Sequence, residues 1–553
     1  MHSFSFVNEN PKERWRVWLP LLCSGVLVMG MVLGFNLHDT LRNKRDLSTV
    51  ITRNDRLDEL IDLVNEKYVD TINDNLLYRD AITGILKSLD PHTVYIPAED
   101  LENINDDLEG SFSGIGIEFS IIRDTLTVTS VFDNGPANKA GIEIGDQFIK
   151  VKDSLIAGVG ISNERISHLL KGPAQSTVPV MVRPHNHPVR IVTITRGAIP
   201  TYSIDASIML DDQTGYIKIN RFSATTTSEF KDALKKLQES GARQLILDLR
   251  DNPGGYLETA TAIAGTFLDN DKLVVYTQGG HSPKVEYRSK ENGSFDKGKL
   301  AILIDENSAS ASEILAGAIQ DWDRGIIIGR RSYGKGLVQQ QYDLPDGAAL
   351  RLTIAKYYTP SGRCIQRSFA HGKEAYAEDY EKRFEDGELT GYDTTRSHDT
   401  IPYYTANHRL VYSGGGIKPD VYVPYDTGRF SGNFKHTLYS AELKTAILDY
   451  YVSNKATLKF AGINEFATSF NGIEEVAGNY LALLEPGARK LAANALSSPV
   501  NKKYFGLQIK ARLARFLYHD NGFYSISVKD DEVVNKALEV LYSAQYSKLI
   551  GRK

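Results

Sequence analysis

The sequence predicts a multidomain protein of mixed helix and strand, an α/β class chain with separate helical and β-rich parts (α+β multidomain). Three observations support this class. The chain has 553 residues, too many for one hydrophobic core, so three or four domains are expected. Short β-rich runs separated by Gly, Pro, Asp and Asn fill residues 108–196. From residue 197 onward, strand-like and helical segments alternate, which is typical of a layered α/β domain.

The N-terminus carries one candidate membrane segment. Residues 17–37 contain no charged side chain, and about 20 apolar residues of helix cross a ~30 Å hydrocarbon layer. Basic residues precede this stretch, which favours a cytoplasmic location for residues 1–16. No small-x-small cleavage site is obvious after it, so we predict an uncleaved transmembrane signal anchor rather than a cleaved signal peptide. The rest of the chain then lies outside the cytoplasm.

Periodicity and composition divide the rest of the chain. Apolar residues recur at helical spacing from Leu57 to Tyr68, and Pro91 disfavours helix in the residue before it. We predict a helical module at 48–107, a β-rich domain at 108–196, a layered α/β core at 197–372 and 411–429, a charged insertion at 373–410, and a helical C-terminal region at 430–553.

Charge, cysteine and histidine content argue against nucleic-acid and metal partners. The net charge is -5, with no dense Lys/Arg stripe outside the first residues, so no nucleic-acid surface is predicted. The two cysteines, Cys23 and Cys364, suggest neither a disulfide framework nor a metal cluster. His185 and His187 lie beside prolines in a predicted turn, and a metal site normally takes about four ligands. We therefore predict no metal site.

A serine-rich turn stands between a predicted strand and a helix in LAILIDENSASASEILAGAIQDW. Ser308, Ser310 and Ser312 lie at or near the start of that helix. There, unpaired backbone N–H groups and the helix dipole can stabilise a developing oxyanion. The alternative is that these serines merely cap the helix, and for Ser308 or Ser312 that can be the whole role.

A lysine between two glycines follows in RRSYGKGLVQQ. Lys335 is either a solvated loop residue or, if desolvated in a pocket, a neutral amine that takes a proton from a serine. No suitable histidine stands near these motifs. If the stretch is helical, Gln339 lies one turn from Lys335 and can orient the amine.

The third stretch is a strand that runs into Asp251-Asn252-Pro253-Gly254-Gly255 and then a helix. Gly254 and Gly255 permit close backbone approach to a ligand, and their N–H groups are candidate oxyanion donors. The alternative is a tight turn with no further role. Arg250 and Asp251 are expected to brace the turn rather than to react.

Taken together, these residues resemble the C-terminal processing peptidases, also called tail-specific proteases. DLRDNPGG, NSASASEILAGA, YGKGLVQQ, KYYTPSGRCIQ and GGGIKPDV match that family in this order. The resemblance implies a crotonase/ClpP-like layered core with Ser310 as nucleophile, Lys335 as general base and Gln339 as the third member. It also implies oxyanion donors at Ala311 and at a glycine of the Gly254-Gly255 turn. No cofactor is implied.

Family members carry a PDZ domain, and residues 108–196 resemble one. Gly114, Ile115, Gly116 and Ile117 resemble its carboxylate-binding loop, followed by a G-P-A, A-G and G-D series. Such a loop presents backbone N–H groups to the carboxylate of an apolar C-terminal tail. The alternative is that these glycines shape a β-turn. The stretch LDPHTVYIP before the domain also resembles the family, and we interpret it as a structural joint in which His92 is not catalytic.

The predicted function is a serine endopeptidase that cleaves unfolded or tail-exposed proteins near their C-terminus and is regulated by its PDZ domain. The predicted anchor places it in a bacterial inner membrane through one helix, with the catalytic part in the periplasm. A homo-oligomer or an adaptor protein is a further candidate partner. The main alternative is a membrane-tethered PDZ adaptor that binds tails without cutting. A ligase or isomerase on a related fold is the other, although the chain has no coenzyme-binding signature.

Overall fold

A computed structural model describes residues 56–391, 401–427 and 432–551. The predicted anchor at 17–37 lies outside the described residues. None of the helices in the described ranges combines the length and apolarity needed to cross a bilayer. The chain divides into two units, Met1–Ser88 and Leu89–Lys553. In the first unit, residues 56–67 are helical, and helix α1 (Asp74–Lys87) begins where the Asn73 side chain accepts a hydrogen bond from the Leu76 N–H.

The second unit starts with β1 (Val94–Ile96), which pairs with a strand of the layered core, and α2 (Ala98–Glu109). A β-rich domain follows, whose elements are β2 (Ser111–Gly114), β3 (Ile117–Ile122), β4 (Thr125–Val131), α3 (Pro136–Lys139), β5 (Gln147–Val151), β6 (Ser154–Leu155), α4 (Asn163–Leu170), β7 (Thr177–Arg183), β8 (Arg190–Thr195) and β9 (Gly197–Pro200). The main sheet has the order β3-β4-β5-β7-β8, with β6 beside β5, so β3 is an edge strand. Leu126, Phe148 and Val180 are fully buried in its core because alternate residues of each strand face inward.

The layered core comes next along the chain. It contains β10 (Ile204–Met209), β11 (Thr214–Ile219), α5 (Thr226–Glu239), β12 (Gln244–Asp248), α6 (Leu257–Gly265), β13 (Leu273–Gln278), β14 (Val285–Arg288), β15 (Lys299–Ile304), α7 (Ala311–Asp321), β16 (Ile326–Gly329), β17 (Leu337–Asp343) and β18 (Ala349–Tyr358).

The remaining elements form the insertion and the C-terminal region. They are α8 (Gly372–Ala377), α9 (Asp379–Glu385), β19 (Pro402–Tyr404), β20 (Leu410–Tyr412), β21 (Val421–Tyr422), α10 (Gly432–Tyr439), α11 (Ala441–Asn454), α12 (Ile463–Ser469), α13 (Ile473–Leu483), α14 (Pro486–Leu496), α15 (Pro499–Ser527), a 3-10 turn (Val528–Asp530), α16 (Glu532–Tyr542) and α17 (Gln545–Leu549). Helix α15 is kinked at Tyr518 and His519. Helices α10–α15 share a core that includes Leu443, Phe466 and Ile509.

The central sheet has the order β10-β11-β12-β15-β16-β21, and every pairing after β10-β11 is parallel. Strand β12 is buried along its whole length, as expected for a parallel strand covered on both faces. Helices α5, α6 and α7 pack on one face. Helices α16 and α17 pack on the other, where Val534 and Leu541 meet the strands.

This topology positions the site. Strands β12 and β15 are parallel neighbours, with Asp248 opposite Leu303. The glycine turn follows the carboxyl end of β12 and the serine turn follows that of β15, so both turns lie at the same edge of the sheet. A second sheet, β1-β18-β13-β14 with β17 beside β18, carries the lysine stretch.

Candidate active site

The serine turn enters helix α7 through a strained residue. Ser310 has φ 53° and ψ −111°, and residues other than glycine rarely adopt a positive φ. Such a conformation costs about 1–3 kcal/mol and persists only when neighbouring contacts impose it. The Ala309 N–H donates to the Asn252 carbonyl at 3.0 Å, and the Tyr357 hydroxyl donates to the Ser310 carbonyl at 3.2 Å. These contacts hold Ser310 at the helix start.

The other two serines of the motif are engaged with the glycine turn. The Ser308 hydroxyl donates to the Leu249 carbonyl at 2.9 Å, and the Ser312 hydroxyl donates to the Asn252 carbonyl at 3.0 Å. Both residues are fully buried. Their hydroxyls therefore join the two turns, which leaves Ser310 as the serine suited to react.

The glycine turn lies directly against Ser310. A Cβ at Gly254 would come within 2.8 Å of the Ser310 Cβ and 2.9 Å of the Ala311 N. The Gly254 N–H donates to the Asn252 side-chain oxygen at 2.9 Å, so it is already used. We find no acceptor for the Ala311 and Gly255 N–H groups among the residues the structure describes. Of the predicted oxyanion donors, Ala311 and Gly255 are thus the two that are available.

Lys335 stands just before β17 with its amine held by Gln339. The Lys335 Nζ lies 2.8 Å from the Gln339 Oε1, and the Gln339 Nε2 donates to the His92 carbonyl. Burial lowers the pKa of Lys335, nearby Arg351 lowers it further, and the carboxylates of Glu313 and Asp90 oppose the shift. Both changes favour the neutral amine that a general base requires.

The stretch from Lys335 to Gln339 is not helical. The sequence predicts the pairing of these two residues on the condition of a helix, and that condition is not met. Gln339 lies on strand β17, and the pairing with β18 shifts register between Val338 and Gln339. Gly336 is packed tightly, since a Cβ there would come within 2.7 Å of the Gln366 N. The register shift in the strand, next to the closely packed Gly336, brings the two side chains together without a helical turn.

Glu313 joins the serine and lysine stretches and was missed from the sequence. Its fully buried carboxylate accepts hydrogen bonds from the N–H groups of Ser310 and Lys335, both at 2.9 Å. It also accepts from the Gly334 N–H at 2.7 Å and from the Ser332 hydroxyl. Burial raises the pKa of Glu313, although these four donors oppose the shift. The signal available was S-x-x-E at a helix start, the capping box.

Ser310 and Lys335 are neighbours through Glu313 and not through a direct bond. Within the described ranges, no hydrogen bond joins the Ser310 Oγ to the Lys335 Nζ. Contacts of catalytic groups are often long in a protein without substrate. Direct proton transfer between Ser310 and Lys335 would therefore require a change of side-chain position.

Buried charges brace the glycine turn. The Arg250 guanidinium donates to the Asp248 carboxylate, with a shortest distance of 2.6 Å, and to the Asp531 carboxylate of the α16 N-terminus at 2.9 Å. Burial alone would raise the pKa of Asp248, but the charges of Arg250 and Lys218 outweigh it and hold that pKa well below its usual range. The predicted bracing role of Arg250 agrees with these contacts.

The buried carboxylate of Asp305 joins the glycine turn to the serine turn. The Asp305 Oδ1 accepts the N–H groups of Asp251 at 3.0 Å and of Ser308 at 3.1 Å. Burial raises the pKa of Asp305 to about 6, and the neighbouring charges of Asp251 and Glu306 contribute. In the described part of the chain, no cluster of His, Cys, Asp and Glu is suited to hold a metal ion.

The predicted carboxylate loop lies at the start of the edge strand of the β-rich domain. Gly114 ends β2 opposite Gly197, Ile115 is buried, and Gly116 has φ 76°. Ile117 begins β3, whose outer side has no strand beside it within the described ranges. The four residues therefore stand together where an added strand could pair with β3.

Comparison with known proteins gives a consistent group of matches. Peptidase family S41 matches residues 213–372. A carboxy-terminal-processing protease of Bartonella bacilliformis is 35% identical over 317 residues, which cover 56% of this chain and 72% of that protein. The solved photosystem II D1 C-terminal processing protease is 29% identical, covers 55% of this chain and 82% of its own, and gives a TM-score of 0.33. The PDZ domain of a carboxy-terminal protease from Vibrio cholerae, solved with a peptide, is 29% identical and covers 16% of this chain and 97% of its own, with a TM-score of 0.15.

Proposed function

The chain belongs to the carboxy-terminal-processing proteases of peptidase family S41, and on that premise we propose that it is a serine endopeptidase with Ser310 as nucleophile and Lys335 as general base. One observation carries the proposal. The Glu313 carboxylate accepts the N–H groups of both Ser310 and Lys335, so one buried anion holds the nucleophile and the base segments side by side. A lysine amine with a lowered pKa beside a strained serine at a helix start suits activation of the hydroxyl.

The reaction uses only groups of this chain. The neutral amine of Lys335 takes the Ser310 hydroxyl proton as the oxygen attacks a peptide carbonyl. The N–H groups of Ala311 and Gly255 stabilise the resulting oxyanion. When the tetrahedral intermediate collapses, Lys335 returns the proton to the leaving amine and an acyl-enzyme remains. Lys335 then takes a proton from water as the water oxygen attacks the ester. It returns that proton to the Ser310 Oγ when the ester C–O bond breaks, which releases the acid product and restores both the hydroxyl and the neutral amine.

Substrate selection is assigned to the β-rich domain. The loop from Gly114 to Ile117 and the free side of β3 suit an apolar C-terminal tail, bound as an added strand with its carboxylate at the loop.

The charge-free stretch at 17–37 supports a single-pass anchor in a bacterial inner membrane, with the catalytic core in the periplasm. Substrates are then unfolded or tail-exposed proteins on that side.

The test uses the full chain and an unfolded protein that ends in an apolar tail. Ser310→Ala and Lys335→Ala should each abolish cleavage, because one lacks the nucleophile and the other lacks the base. Ser294→Ala and Lys297→Ala are matched controls at exposed positions and should cleave like the wild type. If the wild type binds the tail and never cuts, the adaptor alternative replaces the peptidase.

A second substrate separates tail binding from catalysis. The same protein with a charged tail should be cut more slowly, since the loop and edge strand would no longer hold it. Equal rates for the two tails would contradict the role given to the β-rich domain. That result would leave the Ser310 and Lys335 assignment intact.

A further inference from the structure

The turn before β1 lies beside the general base and is tied there by hydrogen bonds. The Asp90 carboxylate accepts the N–H groups of His92 at 2.9 Å and of Thr93 at 3.1 Å. It also accepts the Thr353 hydroxyl of strand β18 at 3.0 Å. Strand β1 pairs with the same strand, with Val94 opposite Arg351. The turn that carries His92 is therefore fastened to the sheet that carries Lys335 and Gln339.

The His92 carbonyl decides which end of the Gln339 amide faces the lysine. The Gln339 Nε2 donates to that carbonyl, and the Gln339 Oε1 faces the Lys335 Nζ at 2.8 Å. An amide has a donor end and an acceptor end, so an acceptor at one side fixes the orientation of the other. Without the carbonyl in place, the amide can rotate and present its NH₂ group to the lysine.

The His92 side chain contacts the insertion. Its Nε2 lies 2.8 Å from the Tyr376 hydroxyl of helix α8, and the ring meets Tyr333 and Tyr376 edge to face. The Arg367 guanidinium lies over both tyrosine rings, 4.2 Å from the centroid of Tyr333 and 3.7 Å from that of Tyr376, and pairs with Asp379. Tyr376 is 5% exposed, so its ring is fixed in the fold. The insertion thereby reaches the environment of the catalytic lysine.

The charge state of the ring suits this place. Burial and the positive charges of Lys335, Arg367 and Lys373 together lower the pKa of His92 to about 4, against the opposing charge of Asp90. The ring is therefore neutral at the pH where a peptidase with a lysine base works. A neutral ring adds no positive charge beside the amine.

We propose that His92 is a positioning residue for the general base. The contact of its ring with the Tyr376 hydroxyl keeps the His92 carbonyl against the Gln339 amide. Gln339 in turn presents its amide oxygen to Lys335. His92 does not touch the reacting atoms. This role rests on the proposed function, and it gives the insertion a part in the reaction of the core.

A double-mutant cycle on the full chain tests the proposal. His92→Ala should lower kcat by about tenfold with KM within about twofold, because the base is misoriented while tail binding is untouched. In a Gln339→Ala background the same substitution should change kcat by less than about twofold, since His92 acts through Gln339. A general loss of structure would lower kcat by the same factor in both backgrounds. Equal factors, or an unchanged kcat for His92→Ala alone, would overturn the proposal.

Tyr376→Phe keeps the test decisive if His92→Ala fails to fold. It removes one hydroxyl and should lower kcat in the same direction, again only when Gln339 is present. His281→Ala and Tyr404→Phe, at exposed positions, are the controls and should match the wild type. Ser310→Ala run beside them separates the two failures. If it still cleaves, the proposed function is wrong, whereas its inactivity together with an unaffected Tyr376→Phe refutes the positioning role alone.

Discussion

At the scale of single residues, Glu313 is the side chain on which the geometry of the site depends most. Each of its four partners donates a hydrogen bond to the carboxylate, so the site requires an acceptor at both carboxylate oxygens. Glu313→Gln places an NH₂ group against backbone N–H groups. We expect the free energy of unfolding to fall by about 2–4 kcal/mol and cleavage to fall at least tenfold, because buried donors lose their acceptor.

The measurements for Glu313→Gln are a urea unfolding curve and cleavage of the tailed substrate. Glu258→Gln is the matched control, since Glu258 is exposed on the first turn of α6. It should leave both quantities unchanged. A Glu313→Gln enzyme with wild-type activity would show that the carboxylate does not position Ser310 and Lys335.

The lowered pKa of Lys335 predicts the pH dependence of cleavage. Only the neutral amine accepts the Ser310 proton, so kcat/KM should rise with pH through the pKa of Lys335 and then level off. Arg351 is one cause of the lowered pKa. In Arg351→Gln that positive charge is gone, the protonated amine is less disfavoured, and the rise should move to higher pH. A pH profile of kcat/KM for both enzymes measures the shift, and a shift to lower pH would contradict this assignment of charges.

The chemistry-bearing residues could be predicted where motif and residue type coincide. Ser310, Lys335 and Gln339 follow from short patterns, and the structure places the latter two in hydrogen-bond contact. Their roles stay predictions. Glu313 and His92 were not assigned because their parts depend on partners distant in sequence, such as the 247 positions between His92 and Gln339. A single sequence gives no measure of such pairs.

At the scale of elements, the proposed oxyanion site depends on the close approach of the glycine turn to the serine turn. Gly254 has φ 103°, and a Cβ there would collide with Ser310 and Ala311. Gly254→Ala should therefore displace the start of α7 and lower kcat by at least about a hundredfold, the usual cost of losing an oxyanion donor. Gly280→Ala is the control, because open space surrounds that position. Cleavage by Gly254→Ala at the control rate would mean that the turns are not in close contact.

The type of an element could be predicted from the sequence where its residues are fully buried. It could not be predicted where the local backbone geometry decides which side chains meet. The fully buried stretch from Gln244 to Asp248 forms the expected strand, because an apolar run bounded by turn residues suits a parallel sheet. The mixed α/β fold class is confirmed, since the described residues contain both helices and sheets, and the PDZ assignment of residues 108–196 stays a prediction. The pairing of Lys335 with Gln339 was predicted on the condition that the stretch is helical, and the structure brings the two together on a strand with a register shift instead.

At the scale of the whole molecule, the C-terminal region makes two contacts that the sequence did not suggest. The first joins it to the β-rich domain through three exposed ion pairs, Arg123–Asp449, Glu143–Lys455 and Glu118–Arg515, and through the His519 Nε2, which lies 3.4 Å from an Asp133 carboxylate oxygen. Each such pair contributes at most about 1 kcal/mol and is weakened by salt. Ile144 also packs against the helical core. The contacts between the β-rich domain and the C-terminal region thus consist largely of exposed charged pairs, which contribute little to stability.

The second contact joins the C-terminal region to the layered core. Helix α16 covers the face of the central sheet opposite α7, and its Asp531 pairs with Arg250 at the glycine turn. Val534 is 1% exposed in this layer, whereas Asn535 beside it is exposed. Val534→Asp buries an unpaired carboxylate and should lower the free energy of unfolding by about 3–5 kcal/mol.

Because α16 also braces the glycine turn, Val534→Asp should lower cleavage at temperatures where the protein is still folded. Asn535→Asp adds the same charge one residue away, on the outer face, and should leave stability and cleavage unchanged. Thermal unfolding followed by fluorescence, together with cleavage rates below the transition, compares the two variants. If Val534→Asp were as stable and active as Asn535→Asp, α16 would not be a layer of the core, and the C-terminal region would be an appendage rather than a part of the peptidase fold.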